Sequence, residues 1–136
     1  MNRLLTCLCI LSMFSCEKSS TENGSPDAIG AILGSWQQVS YQYSIGGPLL
    51  SEDVKNGEIV RFNADLTFSI SNMESDFDVT GTYRFQNDTL TRIYDADAEK
   101  INYILKTEIV QEELTLIPVG LQICIEGCSF KYRKID

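Results

Sequence analysis

The chain has 136 residues, 19 Asp and Glu against 11 Lys and Arg, no histidine, and a formal net charge of −8. That balance argues against nucleic acid, whose phosphates need clustered Lys and Arg, and against electrostatic adhesion to anionic lipid. Having no histidine removes the usual general base, the commonest transition-metal ligand and the ordinary pH switch.

Met1-Asn2-Arg3 places one positive charge before the apolar run of residues 4–11, and Ser12-Met13-Phe14-Ser15 leads to Cys16. A basic start, a short apolar core and a small residue before the cut predict a secretory signal over residues 1–15. The run is too short for a ~30 Å hydrocarbon core, which takes ~20 apolar residues. Cleavage removes Arg3 and makes the mature charge about −9. After Cys16 come Glu17-Lys18-Ser19-Ser20-Thr21-Glu22-Asn23-Gly24-Ser25, with nothing apolar to bury. Residues 16–27 are therefore expected to be a flexible tether, and residues 28–136 one domain with a single core.

Met13-Phe14-Ser15-Cys16 resembles the lipobox of bacterial lipoproteins, although Met13 and Phe14 depart from its commonest residues. The resemblance implies a diacylglyceryl group on Cys16 and attachment to the membrane through that lipid anchor. It also implies an outer-membrane lipoprotein of a Gram-negative envelope, on the periplasmic or cell-surface face. Several acyl chains, at ~0.8 kcal/mol per buried CH₂, give firm attachment. The alternative is ordinary cleavage with Cys16 a free thiol. Of the five cysteines, Cys7 and Cys9 leave with the signal and Cys16 takes the lipid. Cys124 and Cys128 then remain as a pair in a compartment that permits disulfides.

Ser25 as N-cap, Pro26 at the first helical position and Asp27 in the first turn predict a helix start. The helix would cover residues 28–33 and stop at Gly34. Beyond it the period is two. Val39, Tyr41 and Tyr43 alternate with polar neighbours; so do Val60 and Phe62, then Leu66, Phe68 and Ile70, then Val79, Tyr83 and Phe85. Residues 89–94, Tyr103 and Leu105 with their neighbours, 114–117, 121–124 and 129–135 complete about eight strands. Asn63-Ala64-Asp65, Asn87-Asp88 and Glu112-Glu113 read as turns. Bulges are expected around Trp36 and Pro118, and Pro118 should end or kink its strand. Short connections between sequential strands predict an all-β fold. Its form would be an eight-stranded antiparallel up-and-down β-barrel, with a sandwich as the alternative.

Gly34-Ser35-Trp36, at the junction of a short helix and the first strand, resembles the Gly-x-Trp signature of lipocalins. The whole order of elements is similar to lipocalin-like lipoproteins of Gram-negative bacteria, which join a lipobox, a Gly-x-Trp strand, a meander and a late Cys-x-x-x-Cys. The longer middle motif of lipocalins has no counterpart here. The resemblance implies that Trp36 plugs one end of the barrel and that Arg133 lies over its ring, a contact worth ~0.5–2 kcal/mol. It also implies that the first long loop, residues 46–57, lies over the barrel mouth with Leu49 and Leu50. The other reading of Trp36 is a core tryptophan without family meaning.

Two functions follow. If the barrel is hollow it binds a small hydrophobic ligand, lined by Tyr41, Tyr43, Leu49, Leu50, Phe62, Phe68, Tyr83, Phe85 and Tyr103. If those rings fill it, the domain is a structural or interaction module that meets an envelope protein partner. Cys124 and Cys128 flank a turn expected at Gly127, and a structural disulfide is expected there rather than redox or metal chemistry. Asp95, Asp97 and Glu99, like Glu74, Asp76 and Asp78, read as solvated hairpin ends rather than calcium ligands. Asn87-Asp88-Thr89 and Asp88-Thr89-Leu90 fit loose glycosylation patterns, with turn chemistry the default. No catalytic set, cofactor or metal site is expected, and the chain does not read as an enzyme.

Overall fold

Inward and outward side chains alternate along almost every strand, and the tight turns keep each strand beside the next. A computed structural model describes residues 26–72, 75–96, 99–120 and 127–136 of the chain. Its elements are helix α1 (Pro26–Ile32) and strands β1 (Gly34–Tyr43), β2 (Leu50–Asp53), β3 (Ile59–Phe62), β4 (Thr67–Asn72) and β5 (Ser75–Gln86), followed by β6 (Thr89–Ala96), β7 (Glu99–Val110), β8 (Glu113–Pro118) and β9 (Cys128–Lys134). The helix begins at Pro26, the predicted first helical position, and ends at Ile32, leaving Leu33 outside it.

All neighbours pair antiparallel, in the order β2-β1-β3-β4-β5-β6-β7-β8-β9, and β9 also pairs with β1. That pairing runs from Trp36 opposite Lys134 to Tyr43 opposite Cys128. It closes the sheet, which rules out the sandwich, and among the described strands leaves an unpaired edge along the short β2. Strands β3 and β2 share one edge of β1, the former along residues 34–37 and the latter along 40–43. Together they make one interrupted stave, so the nine strands form an eight-stranded barrel.

The interruption corrects the expected loop at residues 46–57, because β2 lies inside that range. Leu50 is opposite Tyr43 and Asp53 opposite Ser40. The chain then bulges away before rejoining β1. Two backbone bonds hold the gap, Val54 N to Val39 O at 2.8 Å and Gln38 N to Glu58 O at 2.9 Å. Gly57 is buried under this crossing, and a Cβ there would lie 2.3 Å from Gln38 O, so only glycine fits.

The expected bulge near Trp36 sits three residues on, where the β1–β9 register slips between Gln38 and Ser40. Pairing of β7 with β8 is regular through Leu105 opposite Pro118, so Pro118 ends its strand without a bulge. Asn87 and Asp88 have φ of 50° and 59°. Two consecutive left-handed residues make the type I′ turn whose twist matches the flanking strands. The predicted turn at Asn63-Ala64-Asp65 is fixed by the Asp65 carboxylate, which accepts from Thr67 N at 3.1 Å and Thr67 Oγ1 at 2.6 Å.

Helix α1 covers one end of the barrel. Trp36 is fully buried there, and its Nε1 donates to Ile32 O at 2.8 Å. The cation over its ring is Lys134, with Nζ 5.3 Å from the centroid. Arg133 has the opposite strand parity and is exposed, which corrects its expected role. Trp36 and Lys134 are directly opposed, so they share a face, and a one-residue step carries Arg133 to the outer wall. Beside this plug, Asp136 accepts hydrogen bonds from Ser35 N and, at 2.7 Å, from Ser35 Oγ, tying the last residues to β1.

Above Trp36 the core is dense. Phe62, Phe68, Tyr83, Phe85, Leu90, Leu105, Leu114 and Leu116 are all at most 4% exposed. Phe62 meets Tyr83 edge-on at 5.1 Å, and the Tyr83 hydroxyl donates to Asn63 O at 2.9 Å. In β5, Gly81 makes room for Phe68: a Cβ there would sit 2.7 Å from Phe68 Cε1 and 2.3 Å from Ile93 O.

Candidate functional site: the barrel interior

Burial changes along the barrel axis. Toward α1 the inward rings are sealed; toward the other end Tyr41, Tyr43, Tyr94, Tyr103 and Phe130 are only half-buried. Four of these are placed by direct register, Tyr41 opposite Phe130 and Tyr94 opposite Ile101, with Tyr103 opposite Arg92. The predicted lining residues therefore divide. Phe62, Phe68, Tyr83 and Phe85 form the floor, whereas Tyr41, Tyr43 and Tyr103 stand in the far half.

At the boundary lies Arg92. Leu90, Arg92 and Tyr94 alternate along β6 on the inward face, and Arg92 is opposite Tyr83 on one side and Tyr103 on the other. It is 8% exposed. The guanidinium carbon is 5.4 Å from the centroid of Tyr103, 5.9 Å from Tyr94 and 6.0 Å from Phe68. Nε and Nη1 are buried with no hydrogen-bond partner among the described residues.

Across the lumen, Glu58 precedes β3 and accepts from the Tyr132 hydroxyl at 2.6 Å. Burial, with the Glu58 carboxyl beside it, pushes the Tyr132 hydroxyl well above its ordinary pKa of 10.0. Burial likewise raises Tyr94, against the pull of Arg92. No ion pair joins Arg92 to Glu58 among the described residues.

A second polar cluster stands at the far end. The Tyr41 and Tyr43 rings stack at 5.5 Å, and their hydroxyls donate to the two oxygens of Glu52, each at 2.6 Å. These bonds, Tyr41's first, hold the Glu52 carboxyl below the usual carboxylate range, and they raise both tyrosines. Around it, Ile45, Leu49, Leu50 and Ile101 are 80%, 62%, 41% and 49% exposed. Leu49 and Leu50 lie at the end away from α1, with Leu50 opposite Tyr43 in a strand rather than a loop.

Elsewhere, a depression of about 360 Å³ on the outer wall is lined by Ser35, Ile59, Arg61, Ser69, Ser71, Ile135 and Asp136. Its arginine is already engaged, Nε with Ser35 Oγ at 2.9 Å and Nη2 with Asp136 at 3.4 Å. Cys128 is buried at the start of β9, while Cys124, Glu74 and Asp97 lie outside the described residues, as does Cys16. Asp95 and Glu99 are exposed. Thr89 serves the turn, its hydroxyl 3.5 Å from Asn87 O.

Sequence reasoning missed Arg92, Glu58, Glu52, Tyr94 and Tyr132. For Arg92 the signal existed: a charge at the inward parity between Leu90 and Tyr94. Fold and interior together define a small closed β-barrel with an aromatic-walled cation inside it. Neither the protein-family models nor the curated proteins match this chain.

Proposed function

We propose that the protein is a lipocalin-like lipoprotein, anchored by a lipid on Cys16, whose barrel binds a small, mainly apolar ligand in its far half. The observation that carries this reading is the difference in burial between the two halves. A filled barrel would seal its inward rings from end to end, as the α1 half does. Here Tyr41, Tyr43, Tyr94, Tyr103 and Phe130 keep accessible surface, next to exposed Leu50 and Ile101. Exposed apolar and aromatic side chains lining a concave wall are what a small-molecule site presents. The Gly-x-Trp start of β1 beside the short helix α1 and the closed meander support lipocalin likeness. The lipid anchor rests on Met13 to Cys16 and on the polar stretch that would tether the domain.

Native mass spectrometry tests the reading. The full chain carrying Cys16→Ser, purified from bacterial periplasm, should carry extra mass that leaves on denaturation and extracts as an apolar molecule. A bare protein mass, with no uptake of added apolar compounds, would instead favour a filled barrel whose exposed rim meets an envelope protein.

A further inference from the structure

We infer that the ligand is an amphiphile with a single carboxylate head, seated head-first on Arg92 with its tail toward the end away from α1. This rests on the binding reading above and deepens it.

The head group follows from the guanidinium. Phe68, Tyr94 and Tyr103 surround Arg92 at 5.4–6.0 Å, and rings offer a cation no hydrogen-bond acceptor. Nε and Nη1 are left buried and unpaired. They lie on different edges of the plane, so each edge that an incoming acid can grip contains a free donor. A planar carboxylate matches such an edge with two parallel N–H···O bonds. A fixed interior cation with unmet donors is poor packing on its own and a good receptor for an anion.

The charge number follows from the surroundings. Glu58 adds a carboxyl to the same interior, held by Tyr132, and Glu52 adds another at the far end. The chain as a whole carries −8. With the Glu58 carboxyl already facing the same interior, and no further cation there among the described residues, each added negative charge meets more repulsion, so a phosphate dianion is disfavoured relative to a single carboxylate.

The direction follows from packing. Below Arg92, Leu90 and Phe85 are 0% and 4% exposed and close the floor. An alkyl tail therefore runs the other way, along Tyr41, Tyr43 and Tyr103.

The test uses the full chain with Cys16→Ser, stripped of lipid, and titrated calorimetrically with decanoate, decanol and decyl phosphate at neutral pH. Decanoate should bind at least about tenfold more tightly than decanol, the scale of a charge-assisted pair in a buried site. Decyl phosphate should bind no better than decanoate. Arg92→Met should erase the preference for decanoate over decanol; Arg92→Lys, which keeps the charge but not the fork, should retain part of it. Circular dichroism confirms that each variant is folded, and Arg92→Lys decides should Arg92→Met not fold. Equal binding of decanoate and decanol by the unaltered protein overturns the head-group assignment while leaving apolar binding intact. A clear preference for the phosphate overturns the carboxylate. Binding of none of the three overturns the binding reading and this inference with it.

Discussion

Arg92→Met is expected to make the protein more stable while it loses its anion preference. Nε and Nη1 are buried donors without partners. Each unmet buried donor costs ~1–3 kcal/mol, so the pair costs ~2–6 kcal/mol. Against this stand the three rings at 5.4, 5.9 and 6.0 Å from the guanidinium carbon. These distances are near the outer limit of a useful cation–π contact, where each is worth ~0.5–1 kcal/mol. Methionine keeps most of the apolar stem and fills irregular space well. The two ranges differ by about −1 to +4.5 kcal/mol, centred at about 2 kcal/mol in the variant's favour. At ~4–8 °C per kcal/mol for a domain near this size, thermal unfolding followed by circular dichroism should show a rise of several degrees. Glu58→Gln measured alone and combined with Arg92→Met separates any cost of leaving that carboxyl without its distant cation. A fall of several degrees in Arg92→Met would refute the reasoning: the guanidinium would then be a net structural support, its donors met in solution.

Lys134→Ala should cost ~0.5–1 kcal/mol in chemical denaturation through its contact with Trp36, whereas Arg133→Ala should cost nothing measurable. Asp136 is held below the usual carboxylate range, first by the Ser35 hydroxyl, then by the Ser35 amide and Arg61. A carboxyl lowered in the folded state adds stability that is present above its unfolded pKa and disappears as pH falls through the folded one. Tm measured from pH 7 down to pH 2 should therefore drop less steeply in Asp136→Asn than in the unaltered chain. Cys16→Ser should move the protein from the detergent phase to the aqueous phase on Triton X-114 partition; retention in detergent would remove the lipid anchor from the account. Intact mass of the secreted chain should fall short of the reduced mass by the two hydrogens of a Cys124–Cys128 disulfide, and Cys128→Ser should abolish that difference.

The barrel was legible because its signals are local. Period-two alternation through Phe62, Phe68 and Tyr83 marks one face at every strand, and Asn87-Asp88 writes a turn type into two residues. Details that depend on register were not. A slip at Val39 and the step from Arg133 to Lys134 change which cation covers Trp36, although both side chains suit the contact chemically. Strand β2 was hidden because Leu50-Ser51-Glu52-Asp53 has no apolar alternation; it exists through backbone pairing with β1. The Glu52 cluster follows from that pairing, since Glu52 lies opposite Tyr41 and two pairs away from Tyr43, on the same face.

Arg92 differs from these cases, because strand parity alone could have exposed it. Within a β-strand the face of one residue fixes the face of the second after it, so Leu90 and Tyr94 assign Arg92 inward without any tertiary information. A buried arginine in an otherwise apolar set breaks the local agreement that a stable core requires, and such breaks concentrate where function is paid for in stability. Phe68, Phe85 and Leu90 are inward aromatic and aliphatic residues that a filled barrel and a hollow one would share, so they decide nothing about a ligand. The residue that does decide is the one a well-packed barrel would not choose, and its unmet donors specify the chemistry of what should meet them.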